Sequence, residues 1–375
     1  MLPVRIALLV WLLSLPLAAT THGQAPSEPA ALPRATATGA ELFGAACAAC
    51  HGTDGTGVSQ SVTGFEMPLP DFSDCAFGTV EPDTDWLAVS HDGGPARGFD
   101  RRMPAFGELL TEAELGRTLD YIRGFCTNGS WPRGDLNLPR PLVTEKAFPE
   151  NELVVTTLVG TATDSSVTNE ILYEKRFGPR NQIEVAVPLA LKESAAGMWS
   201  RGLGDVAVAL KRAAYHNLAR GTIVSVVGEA VLPTGKETLG LGKGMTVFEP
   251  FVTAGQLLPR NAFVQAQAGA ELPADRDKAT PEAFWRAVIG TTIEQGRFGR
   301  SWSPMIELLG ARELEHGEPT QWDVVPQMQI TLNRRQHIMI NAGVRLPLTA
   351  RDERHAQVIT YFLWDWFDGG LREGW

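Results

Sequence analysis

The sequence of 375 residues has no apolar run after residue 20 that approaches the ~20 residues a membrane-spanning helix needs. It also lacks an excess of positive charge. Its formal net charge is −10, which disfavours nucleic acid as a partner. Cysteine is scarce, with four residues, and no second closely spaced pair is present to complete a zinc site. What remains is a chain long enough for two domains, whose halves have different sequence patterns.

The first residues have the features of a secretion signal. Arg5 precedes the apolar run ALLVWLLSLPLAA, and Gly23 and Ala25 are placed like the small residues of a cleavage site. The run is short for the alternative, an uncleaved membrane anchor. We therefore expect residues 1–25 to be a signal peptide and the mature chain to begin near Pro26, in an oxidising compartment.

Two cysteines that are two residues apart, followed directly by histidine, occur in the stretch FGAACAACHG. Cys47, Cys50 and His51 form the C-x-x-C-H attachment sequence of c-type haem. Two thiols one helical turn apart match the edge of the macrocycle, and the adjacent histidine is then the proximal ligand of the iron. The other candidate, a thioredoxin-like redox pair, requires a βαβ context that this segment lacks. We expect one covalent haem c per chain.

Residues 38–126 resemble a class I mono-haem cytochrome c. Capping boxes at Thr38–Glu41 and Thr111–Glu114 predict two helices, the second within RRMPAFGELLTEAELGRTLDYIRGF. In that family a Met-Pro loop before the last helix supplies the sixth iron ligand, which corresponds to Met103 here. An iron with both axial positions filled leaves no open site for substrate, so the resemblance implies an electron carrier and not an enzyme.

Two other residues are candidates for the sixth ligand. Met67 lies in EMPLP, but this choice would leave the MPAFG segment and its following helix unexplained. His91 lies in SHDGG, which the sequence predicts to be an exposed glycine-rich turn.

The remaining cysteines, Cys75 and Cys126, belong to no metal pattern. In an oxidising compartment we expect them to form a disulfide, the alternative being two buried thiols. By loop-closure entropy, such a bond would stabilise the domain by about 4 kcal/mol. The candidate partners of the haem propionates are Arg97, Arg101, Arg102 and Trp86. The alternative is that the three arginines are ordinary surface charges and that the tryptophan belongs to the core.

The second half of the chain alternates apolar and polar residues with a period of two. After a Pro/Gly linker at 129–150, about twelve such runs follow in 151–375, each long enough for the ~9–11 residues of a tilted membrane strand. Their connectors are alternately long and short, and the short ones all carry arginine. The alternative is a soluble β-sandwich, in which the apolar face would point inward. The predicted fold is an N-terminal all-α cytochrome c fold at 35–128, followed by an all-β antiparallel transmembrane barrel of about twelve strands.

Two motifs, GLGDVAVALKRAAYH and VVGEAVLPTGK, resemble the G-x-GD strand and L-PTG turn of outer-membrane transporters, including those associated with phenol degradation. The resemblance covers most of 150–375. It implies barrel architecture and identifies no substrate.

The predicted function is single-electron transfer by a cytochrome held at the bacterial outer membrane. A globule of ~90 residues is ~31 Å across and a twelve-strand barrel ~26 Å, so the cytochrome must lie at the barrel mouth, in the periplasm. The expected partners are soluble periplasmic redox proteins, outer-membrane lipid and a small solute in the barrel. The alternatives are a channel or transporter with a cytochrome plug or redox sensor, and a fused cytochrome–porin that takes electrons from outside the cell. Four polar residues suit a filled or narrow lumen: Glu184, Gln327, Gln329 and Arg345.

Overall fold

The computed structural model describes residues 36–65, 68–160, 166–193, 197–294 and 301–375. The predicted signal peptide at 1–25 and the alternative ligand Met67 lie outside the described residues. Residues Thr38–Trp375 form one compact unit that contains both predicted domains.

The first part of this unit is helical, as predicted. Its helices are α1 (Gly39–Ala46), α2 (Ala48–His51), α3 (Gln60–Thr63), α4 (Cys75–Gly78), α5 (Asp83–Asp92) and α6 (Glu112–Arg123). Both capping boxes form, since Thr38 and Thr111 each accept from the backbone of the glutamate three residues later, which bonds back. Within the described residues, no helix is both long and apolar enough to span a bilayer.

Helices α1 and α6 cross at close range and enclose the helical core. A Cβ placed on Gly39 would lie 2.1 Å from the carbonyl oxygen of Arg117, so only glycine permits this approach. Phe43, at the centre of the core, packs against Tyr121 of α6 and against Phe125 just after it, at ring distances of 5.4 and 5.5 Å. The core thus links the first and last helices of the domain.

Cys75 and Cys126 form a disulfide in the structure, with their Cα atoms 5.0 Å apart. The bond joins α4 to the chain just after α6, across 51 residues of sequence.

The second part is a closed antiparallel barrel. The described strands are β1 (Glu152–Gly160), β2 (Ser166–Phe177), β3 (Asn181–Glu193), β4 (Trp199–Leu203), β5 (Val206–Asn217), β6 (Thr222–Leu232), β7 (Val247–Leu257), β8 (Ala262–Pro273), β9 (Glu282–Thr291), β10 (Ile293–Glu294), β11 (Ser301–Glu313), β12 (Gln321–Thr331), β13 (Ile338–Pro347) and β14 (Gln357–Asp365). Two are short additions, β4 on β3 and β10 on β11. The twelve long strands form a ring that closes where β1 pairs with β14, which confirms the predicted fold.

The polarity of the barrel is opposite to that of a soluble β-sandwich. On β5, Leu210 points outward and is 58% exposed, whereas its neighbour Lys211 is 2% exposed. On β11, Ile306 and Leu308 are 52% and 42% exposed and Glu307 between them is fully buried. The same pattern recurs around the ring, where the outward apolar residues include Leu189, Val226, Phe248, Val252, Ile289, Met328, Ile340, Val358 and Phe362. Apolar residues outside and polar residues inside are typical of barrels in lipid.

The second half of the predicted Pro/Gly linker at 129–150 runs through the inside of the barrel. We call this half, residues 139–150, the luminal segment. Each of the twelve long strands directs at least one inward side chain to it through a hydrogen bond or ion pair; these include Glu152, Glu174, Gln182, Lys211, Ser225, Thr253, Gln265, Arg286, Glu307, Gln327, Asn341 and Tyr361. The segment is irregular because its backbone groups bond to these side chains instead of to one another.

The charges of the luminal segment are paired. Arg140 of the luminal segment contacts Glu152 and Glu174 at 3.2 and 2.9 Å. Glu145 of the same segment bonds to Lys211 of β5, which also lies 2.8 Å from Glu184. Such pairs satisfy charges that would otherwise be costly to bury.

Candidate haem-binding site

The two cysteines of the C-x-x-C-H motif lie on one helical turn. Cys47 is the residue between α1 and α2, and its carbonyl oxygen accepts from the backbone N–H of Cys50 at 3.1 Å and of His51 at 2.9 Å. Both thiols are free and half-buried. Burial, together with the neighbouring Cys50, raises the pKa of the Cys47 thiol to about 11, so this thiol is neutral at pH 7. Because one helical turn separates the two cysteines, their thiols have the spacing that attachment to two vinyl groups requires.

His51 has the environment of a metal-binding imidazole. It is 8% exposed, and its Nδ1 has no hydrogen-bond partner in the part of the chain that the structure describes. Its ring stacks on Phe72 at 4.7 Å. Burial lowers the pKa of His51 to about 4, so its nitrogen lone pair is available at pH 7. A buried, unprotonated imidazole beside two free thiols fits haem c.

Met103 lies in a loop that folds back on the end of α5. Its carbonyl oxygen accepts from the N–H of Gly94 at 3.0 Å, and its own N–H donates to the carbonyl oxygen of Asp100 at 3.1 Å. The following residues are tied to the same helix, since the N–H of Phe106 donates to the carbonyl oxygen of Ser90 at 3.0 Å. The side chain is half-buried. Met103 remains the candidate sixth ligand.

His91, the alternative ligand, lies in the last turn of α5 and not in an exposed turn. Its Nδ1 is 2.7 Å from Asp92, and its ring packs so closely on Gly107 that a Cβ there would lie 2.5 Å from it. Its side chain is therefore already held by neighbours within the helical domain.

The candidate propionate partners lie in different environments. Arg97 is buried and its Nε donates to Asp85 at 2.6 Å. Burial raises the pKa of the Asp85 carboxyl, and Arg97 opposes the rise. Arg102 donates to the carbonyl oxygen of Gly64, and Arg101 is exposed.

Trp86 lies in an aromatic cluster of the helical core. Its ring is 5.3 Å from Phe72 and 5.8 Å from Phe77, and the guanidinium of Arg123 lies over its face at 4.4 Å. Trp86 thus lies one ring away from His51, through Phe72.

Two turn arginines of the barrel reach the chain outside it. Arg335, between β12 and β13, donates to the carbonyl oxygens of Arg97 and Gly98. Arg180, between β2 and β3, donates to the carbonyl oxygen of Ser130 at 3.1 Å. Sequence patterns identify arginine in these turns, but they do not identify backbone carbonyls as the partners.

Known protein families and relatives match the helical part of the chain. Residues 34–122 match the family described as "Cytochrome C oxidase, cbb3-type, subunit III". The gluconate 2-dehydrogenase cytochrome c subunit of Pantoea cypripedii is 33% identical over 99 residues, which are 25% of this chain. The chain spans 21% of the length of that relative.

The solved structures that resemble this chain include an outer membrane channel and a porin. An outer membrane channel from Pseudomonas putida F1 is 14% identical with a TM-score of 0.45, covering 60% of this chain and 99% of the channel. The NanC porin is 9% identical with a TM-score of 0.41, covering 57% of this chain and 98% of the porin. The chain contains a cytochrome c domain at residues 34–122, of a family that binds haem c covalently, followed by a closed twelve-strand β-barrel.

Proposed function

We propose that the protein is an electron carrier anchored in the outer membrane. Cys47 and Cys50 would hold haem c covalently, and His51 and Met103 would bind its iron. The haem would supply one-electron redox chemistry, and these residues would position it and occupy the two remaining ligand positions of the iron. No open position is left for a substrate, so the protein is a carrier and not an enzyme.

The polarity of the barrel is the observation that carries this proposal. Its outer surface is a ring of exposed apolar side chains and its buried interior is polar. In water this surface would be a large exposed apolar patch, whereas in a bilayer it is the favoured arrangement. A closed ring also leaves no unpaired strand edge among the twelve long strands, as a bilayer requires.

The contacts of the barrel turns support a periplasmic cytochrome. Arg180 and Arg335 lie in short turns, on the same side as the start of β1 and the end of β14. In outer-membrane barrels the short turns face the periplasm. Because Arg335 contacts the cytochrome domain at Gly98, we infer that the haem lies on this side.

The filled lumen favours an anchor over an open channel. The luminal segment is held by side chains from all twelve long strands, and its own charges are paired inside the barrel. A solute channel would require this segment to move out. In the channel alternative, moreover, the plug is this segment and not the cytochrome domain.

Surface charge indicates the kind of redox partner. Among the described cytochrome residues only two exposed side chains are basic, Arg101 and Arg102. We define the acidic surface as the exposed carboxylates Glu41, Asp54, Asp71, Asp74, Glu108, Glu112 and Asp120. Electrostatic complementarity then favours soluble periplasmic proteins with a basic docking face.

Exposure of intact cells to a membrane-impermeant reductant tests the proposed placement. We expect haem reduction only after the outer membrane has been permeabilised. Prompt reduction in intact cells would instead favour the alternative, a cytochrome–porin that takes electrons from outside.

A further inference from the structure

A barrel turn reaches the loop that carries the candidate sixth ligand. We call residues 93–103 the methionine loop. Arg335 is 8% exposed, and its Nη2 donates to the carbonyl oxygen of Gly98 at 2.9 Å. Its Nε lies 3.4 Å from the carbonyl oxygen of Arg97, and its guanidinium covers the ring of Phe99 at 4.3 Å. One buried cation thus contacts three consecutive residues at the tip of the methionine loop.

The methionine loop is closed by its own hydrogen bonds. The N–H of Phe99 donates to the carbonyl oxygen of Gly94 at 2.9 Å, and the N–H of Gly94 donates to that of Met103 at 3.0 Å. A Cβ on Gly94 would lie 2.2 Å from the carbonyl oxygen of Asp100, so the two sides of the loop touch. Displacement of the tip at Gly98 would therefore be transmitted to Met103 through two peptide groups.

The far end of the chain supports the same tip. Gly98 has a φ of +70°, and a Cβ there would lie 2.5 Å from the Cα of Gly374. Gly374 is held by the barrel turn, since its carbonyl oxygen accepts from the N–H of Arg334 at 2.6 Å. Arg335 also pairs with Glu373 at 2.9 Å. The turn at 332–337 and the C-terminal tail at 366–375 therefore form one surface, which we call the clamp.

We propose that the clamp positions Met103, so that docking on the barrel determines how firmly the haem iron keeps its sulfur ligand. This inference rests on the proposed role of Met103 as the sixth ligand. Arg335 is then a positioning residue that acts through the methionine loop and does not touch the haem. Without the clamp, the loop would retain its internal hydrogen bonds but lose the fixed support at its tip.

Cyanide binding to the ferric full-length protein in detergent tests the clamp. Cyanide must wait until the methionine leaves the iron, so its binding rate reports how often the loop opens. We expect Arg335→Gln to raise this rate about tenfold, since a lost charge-assisted hydrogen bond corresponds to a factor of that order. The methionine–iron absorption band should weaken in parallel. The control is Arg220→Gln, an exposed arginine in the turn between β5 and β6.

A second variant keeps the test decisive if Arg335→Gln prevents the barrel from folding. Phe99→Leu changes only the cytochrome side of the contact. It removes the aromatic ring that the Arg335 guanidinium covers and leaves every barrel residue unchanged. We expect the cyanide rate to rise about threefold, because the stacking contact is weaker than the hydrogen bond. The proposed role of the clamp would be overturned if a folded Arg335→Gln variant and the Phe99→Leu variant both bound cyanide at rates within twofold of the Arg220→Gln control. That result would leave the proposed function intact. A wild-type protein without the methionine–iron band would overturn both.

Discussion

The carboxylate of Glu307 accepts two hydrogen bonds from Thr144, one from the backbone N–H at 2.8 Å and one from the hydroxyl at 2.6 Å. The same carboxylate accepts from the N–H of Leu142 at 2.9 Å and of Val143 at 3.1 Å. Glu307 is fully buried at the centre of β11. One strand residue thus binds three consecutive backbone amides of the luminal segment.

Replacement of Glu307 should loosen the luminal segment. Glu307→Ala leaves several buried hydrogen-bond donors without an acceptor, each at a cost of about 1–3 kcal/mol. We therefore expect the free energy of unfolding of the barrel to fall by about 2–4 kcal/mol. The measurement is the urea midpoint at which the fast-migrating folded band disappears from an unheated gel. In planar bilayers the variant should also show openings that the wild type does not.

Glu313→Ala is the matched control, because Glu313 is exposed at the end of the same strand. Equal urea midpoints for both variants, with no openings in either, would show that the luminal segment does not depend on Glu307.

Adjacent residues of β5 should differ sharply in their effect on stability. Lys211→Met leaves Glu145 and Glu184 without their shared cation, and breaking a buried ion pair typically costs about 3–5 kcal/mol. Arg212→Gln changes the next, exposed residue, for which we expect a change within about 0.5 kcal/mol. The same unfolding assay compares the two. A Lys211→Met barrel as stable as Arg212→Gln would contradict the buried charge pairing.

The disulfide should stabilise the cytochrome domain without any part in haem attachment. Replacing both Cys75 and Cys126 with alanine frees a loop of 51 residues and should cost about 4 kcal/mol. We expect the double variant to keep covalent haem and to lose its native visible spectrum at lower denaturant concentration. Failure of haem attachment in a folded double variant would show that these cysteines do more than join α4 to the end of α6.

The acidic surface should make electron transfer depend on salt and on the charge of the partner. Oxidation of the reduced protein by the cationic complex tris(phenanthroline)cobalt(III) should slow about tenfold between low and high ionic strength, whereas oxidation by the anion ferricyanide should become faster over the same range. Glu108→Gln combined with Glu112→Gln should weaken both trends, and Glu353→Gln, in the exposed loop before β14, should not. Identical salt dependence for the two oxidants would contradict a role for these carboxylates in docking.

Local sequence patterns predicted the helices and strands, because the residues that indicate each of them are close together in the chain. The two capping boxes correspond to α1 and α6, and the alternation of apolar and polar residues corresponds to strands with apolar residues outside. Each signal spans only a few residues, so it can be recognised without knowledge of the fold.

Local sequence patterns do not predict that the luminal segment lies inside the barrel. Its prolines and irregular backbone have the composition of a linker, yet Leu142 bonds to Glu307 and Gln327, which are 165 and 185 residues away. Buried polar positions inside a barrel look the same in sequence whether water or protein fills the lumen. The same holds for Arg335, whose contact with Gly98 spans 237 residues.

A haem-stained gel of separated cell fractions tests the central claim most directly. We predict one stained band in the outer-membrane fraction, which keeps its stain after boiling, because the haem is covalent, and migrates faster before boiling than after, because the barrel resists the detergent. Stain confined to the soluble fraction, stain lost on boiling, or a band that migrates identically in both states would contradict a covalent cytochrome anchored by a folded barrel.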